Sequence, residues 1–172
     1  MISTLDTYNL GFTAYGLGAS HACALASVYL RLGDWDLTKR EAIDGNVFQQ
    51  AKSTSISRLE REFRLRLQTL TGEQLNLLVE NPAVARVPLA LLAVFKRYTL
   101  IRDFAEHVLA EKVQVMDFEL RPSDYASFIE DGNHYIRNCA NDYETIRQKG
   151  LAFITYLEEL ERAGFELELD LY

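Results

Sequence analysis

The 172-residue sequence predicts a mainly α-helical fold in one compact domain. Three observations predict it. Apolar residues recur every three or four positions in segment after segment, cap and stop residues bracket those segments, and strict period-two alternation occurs only at the C-terminal end.

Taken in order, Gly11, Gly16 and Gly18 punctuate the opening, and Ser20 is placed to cap a helix carrying Leu25, Val28, Tyr29 and Leu32, stopped by Gly33. Asp34 caps a short helix from Trp35 to Asp44, which Gly45-Asn46 ends. The stretch Ser53-Thr54-Ser55-Ile56-Ser57 offers several N-caps, with Ser57 and Glu60 at capping-box spacing, for a longer helix through Leu70 whose apolar stripe is Ile56, Leu59, Phe63, Leu67 and Leu70. Thr71 and Gln74 form another capping box for a helix with Leu75, Leu78 and Val79, which Asn81-Pro82 stops.

Pro88 is expected in the first turn of the next helix, whose Leu89, Leu92, Ala93 and Phe95 mark it as the most buried one. A helix from Leu100 to about Val115 buries Ile101, Phe104, Val108 and Leu109. Pro122 starts another through Ile129, with a turn at Asp131-Gly132-Asn133, and the final helix runs from about Asp142 to Ala163. In the tail, Phe165, Leu167, Leu169 and Leu171 alternate with Glu166, Glu168 and Asp170. That pattern predicts a short strand, paired with Asp117 to Leu120 as a β hairpin or wing.

The formal net charge of −7 argues at first against nucleic acid, which requires clustered positive charge. Its distribution reverses the inference. Lys39 to Arg66 holds seven Lys/Arg against four Asp/Glu, while Pro122 to Tyr172 holds four against eleven. The domain therefore divides into a helical portion over residues 1–120 and an acidic portion over 121–172. Cys23 and Cys139 predict two reduced thiols in a cytoplasmic protein, with one disulfide between them as the alternative. The longest apolar run, Val87 to Phe95, falls well short of the roughly 20 residues a bilayer span needs, and no signal peptide is expected.

No catalytic constellation emerges, and no cofactor is expected. Asp103, His107 and Glu111 recur every four residues as metal ligands can, but an ion-paired helix surface is the favoured reading. Gly11 to Gly18 resembles a phosphate loop in its glycines, yet the Lys-Ser/Thr that such a loop needs is missing, which favours a structural turn. Glu158, Glu159 and Glu161 read as a solvated helix face. Trp35 and Tyr98 read as core or core-edge aromatics, and Arg97 as a structural cation at a helix end.

The segment Trp35 to Leu70 stands out: a short helix, a turn, then a longer helix that opens with hydroxyls and carries arginines outside, as in a helix-turn-helix. At 100° per residue, Thr54, Arg58, Arg61 and Leu65 lie opposite the apolar stripe, flanked by Ser57 and Arg64. Such a face suits duplex DNA, with Lys39, Arg40 and Lys52 on phosphates and Arg58 and Arg61 reaching base edges or backbone.

Several blocks, read in order, resemble the BrxA family of the BREX bacteriophage-exclusion systems. They are Tyr8-Asn9-Leu10-Gly11-Phe12-Thr13 with Gly16-Leu17, Gly33-Asp34-Trp35, Asn46-Val47-Phe48, Ser53 to Arg66, and Arg97-Tyr98 followed by Ile101 to Glu106. The match covers about Tyr8 to Leu120; Pro122 to Tyr125 and Leu157 to Phe165 also look similar to the family. This resemblance implies a NusB-like helical fold with winged-helix features, double-stranded DNA binding without catalysis, and a part in phage defence beside other BREX proteins, with self-association open. The family's basic helix region falls on Lys52, Ser53, Thr54, Ser55, Arg58, Arg61 and Arg64. Family members have also been labelled inner-membrane proteins, which the absent span contradicts. An assembly adaptor docking through the acidic tail and an RNA-binding protein are the rival readings.

Overall fold

The computed structural model describes residues 9–131, 144–148 and 151. These are mainly helical: α1 (Ala19–Leu32), α2 (Trp35–Asp44), α3 (Ser53–Leu67), α4 (Gly72–Glu80), α5 (Pro82–Arg97), α6 (Thr99–Phe104), a π-helical segment (Ala105–Leu109), α7 (Ala110–Gln114) and α8 (Pro122–Asp131). They fall into two compact units, residues 17–97 and residues 1–16 with 98–172.

In the unit of residues 17–97, the cap of α1 lies two residues before the expected Ser20. Gly18 occupies the N-cap in a left-handed conformation (φ 59°), and Ser20 is exposed in the first turn. Gly33 ends the helix as expected, left-handed, with its N–H donating to the Tyr29 carbonyl at 2.7 Å. Thr71 and Gln74 form the reciprocal capping box at α4.

Two expectations about α5 need correction. The helix begins at Pro82, so Pro88 sits inside it. Pro82 takes the first-turn place instead, where its missing N–H costs nothing. Pro88 lies on the exposed side, four residues after exposed Val84, to whose carbonyl it cannot give the usual helix N–H bond. The buried residues of α5 are Ala85, Leu89, Ala90, Leu91, Ala93 and Val94, whereas Leu92 and Phe95 are half-buried. The core of this unit adds Leu25 and Ala26 from α1, Phe63 and Leu67 from α3, and Leu78 from α4.

In the other unit, Gly11–Ala14 forms a 3-10 turn, and buried Phe12 meets the ring of Tyr98 edge-on with centroids 5.5 Å apart. Tyr98, extended and fully buried, separates α5 from α6. Leu100, Ile101 and Phe104 are buried, whereas Val108 and Leu109, on the wider π-helical turn, are half-buried. Tyr125 of α8 donates its hydroxyl proton to the carbonyl of Ile146 at 3.1 Å, and both residues are buried.

Residues 117–120 form no strand, and no strand occurs among the described residues. Asp117 uses its carboxylate within this connection: Oδ1 accepts the Glu119 N–H, and Oδ2 meets Lys112. The expected strand at 165–171, Glu158, Glu159 and Glu161, the turn at Gly132-Asn133, Cys139, and most of the expected final helix lie outside the described residues; residues 144–148 are helical.

Candidate nucleic-acid interface

The Trp35 to Leu70 segment is built from local rules. At the start of α2, Asp34 Oδ1 accepts the N–H groups of Asp36 and Leu37, both at 2.8 Å, satisfying two donors that a helix start leaves open. Trp35 stacks on Tyr29 with ring centroids 3.9 Å apart, the core-edge role expected of it. Thr38 and Ala42 face inward, which leaves Lys39 and Arg40 exposed. Arg31 of α1 pairs with Glu41, so one carboxylate beside Arg40 is already engaged.

The connection from α2 to α3 spans residues 45–52, longer than the three or four residues of a tight helix-turn-helix. Gly45 stays right-handed; the left-handed turn falls on Asn46 (φ 45°) and Gln49 (φ 54°). Asn46 adopts that conformation at modest cost and clamps the loop with its amide. Its Oδ1 accepts the Gln50 N–H at 2.8 Å, and its Nδ2 donates to the Gln50 carbonyl at 2.9 Å. Phe48, 4% exposed, anchors the loop near the rings of His21 and Phe63.

This loop delivers α3, whose first turn takes in Ser53, Thr54 and Ser55, all expected near the helix start. The helix begins at Ser53 with Lys52 as N-cap, so Ser57 and Glu60 form no capping box. Ser57 Oγ instead donates to the Ser53 carbonyl at 3.2 Å, and Glu60 turns toward Arg64. Ile56, Leu59, Phe63 and Leu67 are buried, the stripe the sequence predicts, and Leu70 is buried just beyond the helix.

The opposite face also agrees. Lys52, Ser53, Thr54, Ser57, Arg58 and Arg61 are exposed, while Ser55 and Leu65 are half-buried. Neither Arg58 nor Arg61 has an ion-pair partner among the described residues, and the same holds for Lys39, Arg40 and Lys52. The structure thus gathers Lys52 to Arg64 on one helix and puts Lys39 and Arg40 on α2, which packs against α3.

Two arginines of α3 behave differently. Arg64 is 24% exposed and its Nε lies 2.8 Å from Glu60 Oε1; the Glu60 side chain is 1% exposed and its Oε2 is buried with no hydrogen-bond partner among the described residues. Arg66 is 2% exposed, bonds Glu62 Oε1 through Nε at 3.0 Å and the Leu17 carbonyl through Nη1 at 3.3 Å, and lies over the Phe63 ring. Arg66 is therefore part of the interior. The sequence reading missed both glutamates, although Glu60/Arg64 and Glu62/Arg66 carry the spacing and order that favour helix ion pairs.

The other candidates do not assemble into sites. His107 Nδ1 lies 2.7 Å from the Asp103 backbone carbonyl, Asp103 neighbours Arg102, and no cluster of three His, Cys, Asp or Glu side chains suited to a metal exists among the described residues. In the glycine-rich opening, Asn9 Oδ1 accepts the Gly11 N–H, while Phe12 and Leu17 are core residues. Gly18 abuts Phe63, so any Cβ at position 18 would collide with that ring. Among the described residues, no helix is long and apolar enough to cross a membrane.

No curated protein matches this chain. A family model described as BrxA matches residues 6–151, most of the chain. On that match the chain belongs to the BrxA family.

Proposed function

We propose that this protein binds duplex DNA without catalysis, as a component of a BREX phage-defence system. Family membership supports the BREX association. The observation that carries the DNA reading is the pair Arg58 and Arg61, exposed one helical turn apart and in no ion pair among the described residues, beside the exposed hydroxyls of Ser53, Thr54 and Ser57. Lys52, Lys39 and Arg40 supply further cations. Guanidiniums hydrogen-bond phosphates and guanine edges directly, and each phosphate neutralised releases counterions into solution. In this reading α3 lies along the DNA, Ser55 and Arg64 border the contact, and the helical fold is NusB-like.

The test is duplex affinity by fluorescence anisotropy across a salt series, with structured RNA as competitor. Arg58→Ala/Arg61→Ala should weaken duplex binding at least tenfold and flatten the salt dependence by about two units of log–log slope. Unchanged affinity and slope would reject the reading, and preferential displacement by RNA would replace DNA with RNA.

The connection after α7 favours a second reading, an adaptor for other BREX proteins. Val115, Met116 and Phe118 are all exposed there within four residues, and side chains of this kind anchor protein interfaces. Met116→Ser/Phe118→Ser should lower co-purification with partners while leaving DNA affinity intact; undiminished recovery counts against it.

A further inference from the structure

We propose that Glu60 is a positioning residue for DNA contact, its buried carboxylate holding Arg64 by Nε so that the two Nη groups form a preset fork for a phosphate at the border of the α3 face. The inference rests on the DNA-binding reading. Glu60 is buried, one of its oxygens has no partner among the described residues, and desolvating a carboxylate that way is costly. A methionine or glutamine would fill the same space at lower cost, so the charge is explained by what it does to its neighbour.

What it does is geometric. A guanidinium is planar, so fixing Nε at 2.8 Å from Glu60 Oε1 also fixes the plane in which Nη1 and Nη2 lie. Those two groups have no partner among the described residues, and the side chain is a quarter exposed. On the helix, Arg64 and Arg58 each stand three residues from Arg61, about 60° to either side of it. Arg64 therefore borders the same face as the two unpaired arginines. Arg58 and Arg61 must lose rotamer freedom when they bind; Arg64 is already ordered.

General electrostatics makes the opposite prediction, which gives the test its force. Removing a negative charge near DNA should tighten binding, whereas removing the support of Arg64 should loosen it. Full-length wild type, Glu60→Gln, Arg64→Ala, Arg64→Lys and Glu60→Gln/Arg64→Ala are compared for duplex affinity across a salt series. The expected result is a loss of roughly three- to tenfold for Glu60→Gln, a loss for Arg64→Lys despite its retained charge, and no further loss from Glu60→Gln once Arg64 is alanine.

Glu60→Met is the parallel variant if Glu60→Gln folds poorly, with thermal melts confirming that each protein compared is native. Wild-type or tighter binding by Glu60→Gln, or an equal loss in the Arg64→Ala background, overturns the proposal. If Arg58→Ala/Arg61→Ala also leaves binding intact, the DNA reading itself falls; if that variant loses binding while Glu60→Gln does not, only the role of Glu60 falls.

Discussion

The connection at 45–52, between α2 and α3, and the one at 115–121, between α7 and α8, solve the same problem in opposite ways. Each turns through a non-glycine residue in the left-handed region, Asn46 in one and Met116 in the other. The first is held by neutral amides, Asn46 on Gln50, around a buried phenylalanine, Phe48. The second is held by ions. Lys112 Nζ lies 2.6 Å from Asp117 and 3.0 Å from Asp124, Arg121 pairs with Asp117 and Glu119, and Phe118 is 61% exposed. A loop closed by amides and a ring keeps nearby cations for other use, whereas a loop closed by ion pairs consumes its own charges and presents its apolar side chains instead.

The sharpest break of that comparison is one substitution made in both loops. Phe48→Ala should destabilise by about 3–5 kcal/mol, because it empties a buried aromatic site, whereas Phe118→Ala should change stability by no more than about 0.5 kcal/mol. Thermal or urea unfolding reads both, and similar losses would dissolve the contrast.

A smaller effect is expected from Lys112→Met, which fills a similar volume but leaves Asp117 and Asp124 without their shared ammonium. Burial opposes the charge on Lys112, yet hydrogen bonds and charge from Asp117 and Asp124 outweigh it and raise its pKa. Roughly 2–4 °C should be lost from Tm.

Smallest is the response to acid. The hydrogen bond from Lys112, then the Glu119 N–H, then the Lys112 and Arg121 charges hold the Asp117 carboxyl below its ordinary 3.8. A depressed carboxylate pKa contributes stability above its unfolded value and loses it as pH falls through the folded one. Amide exchange at Glu119 should therefore lose protection below about pH 3.8, while that at Gln50, bonded to Asn46, keeps its protection through the same window.

Much of this was legible because it is local. Asp34, Gly33 and the Thr71/Gln74 box act within a few residues of themselves, and the stripe on α3 follows from a 100° rotation, so the outward placing of Arg58 and Arg61 was readable too. Where local signals conflict, tertiary packing chooses. Pro82 reads as a stop and Pro88 as an opener, yet Pro82 opens α5 and Pro88 lies within it; Ser57 and Glu60 had the spacing of a cap but lie one turn inside the helix. Arg66, three residues from Phe63 and four from Leu70, flanks the buried stripe, but the partner that satisfies its guanidinium there was beyond periodicity, since the carbonyl of Leu17 is 49 residues away in sequence. The roles of Glu60 and Glu62 lay within reach, had the arginines been read together with the acids four residues before them.

The contact between Gly18 and Phe63 bears on how the glycine-rich opening evolves. Two independent demands meet at position 18, a left-handed backbone and a ring pressed against the Cα, so no side chain can be exchanged there without a compensating change on α3. Gly33 is under the first demand alone, in open space, and asparagine is an admissible replacement. Across divergent members of the lineage, drift at 18 should thus be coupled to drift at 63, while 33 wanders between the two residues that favour its geometry.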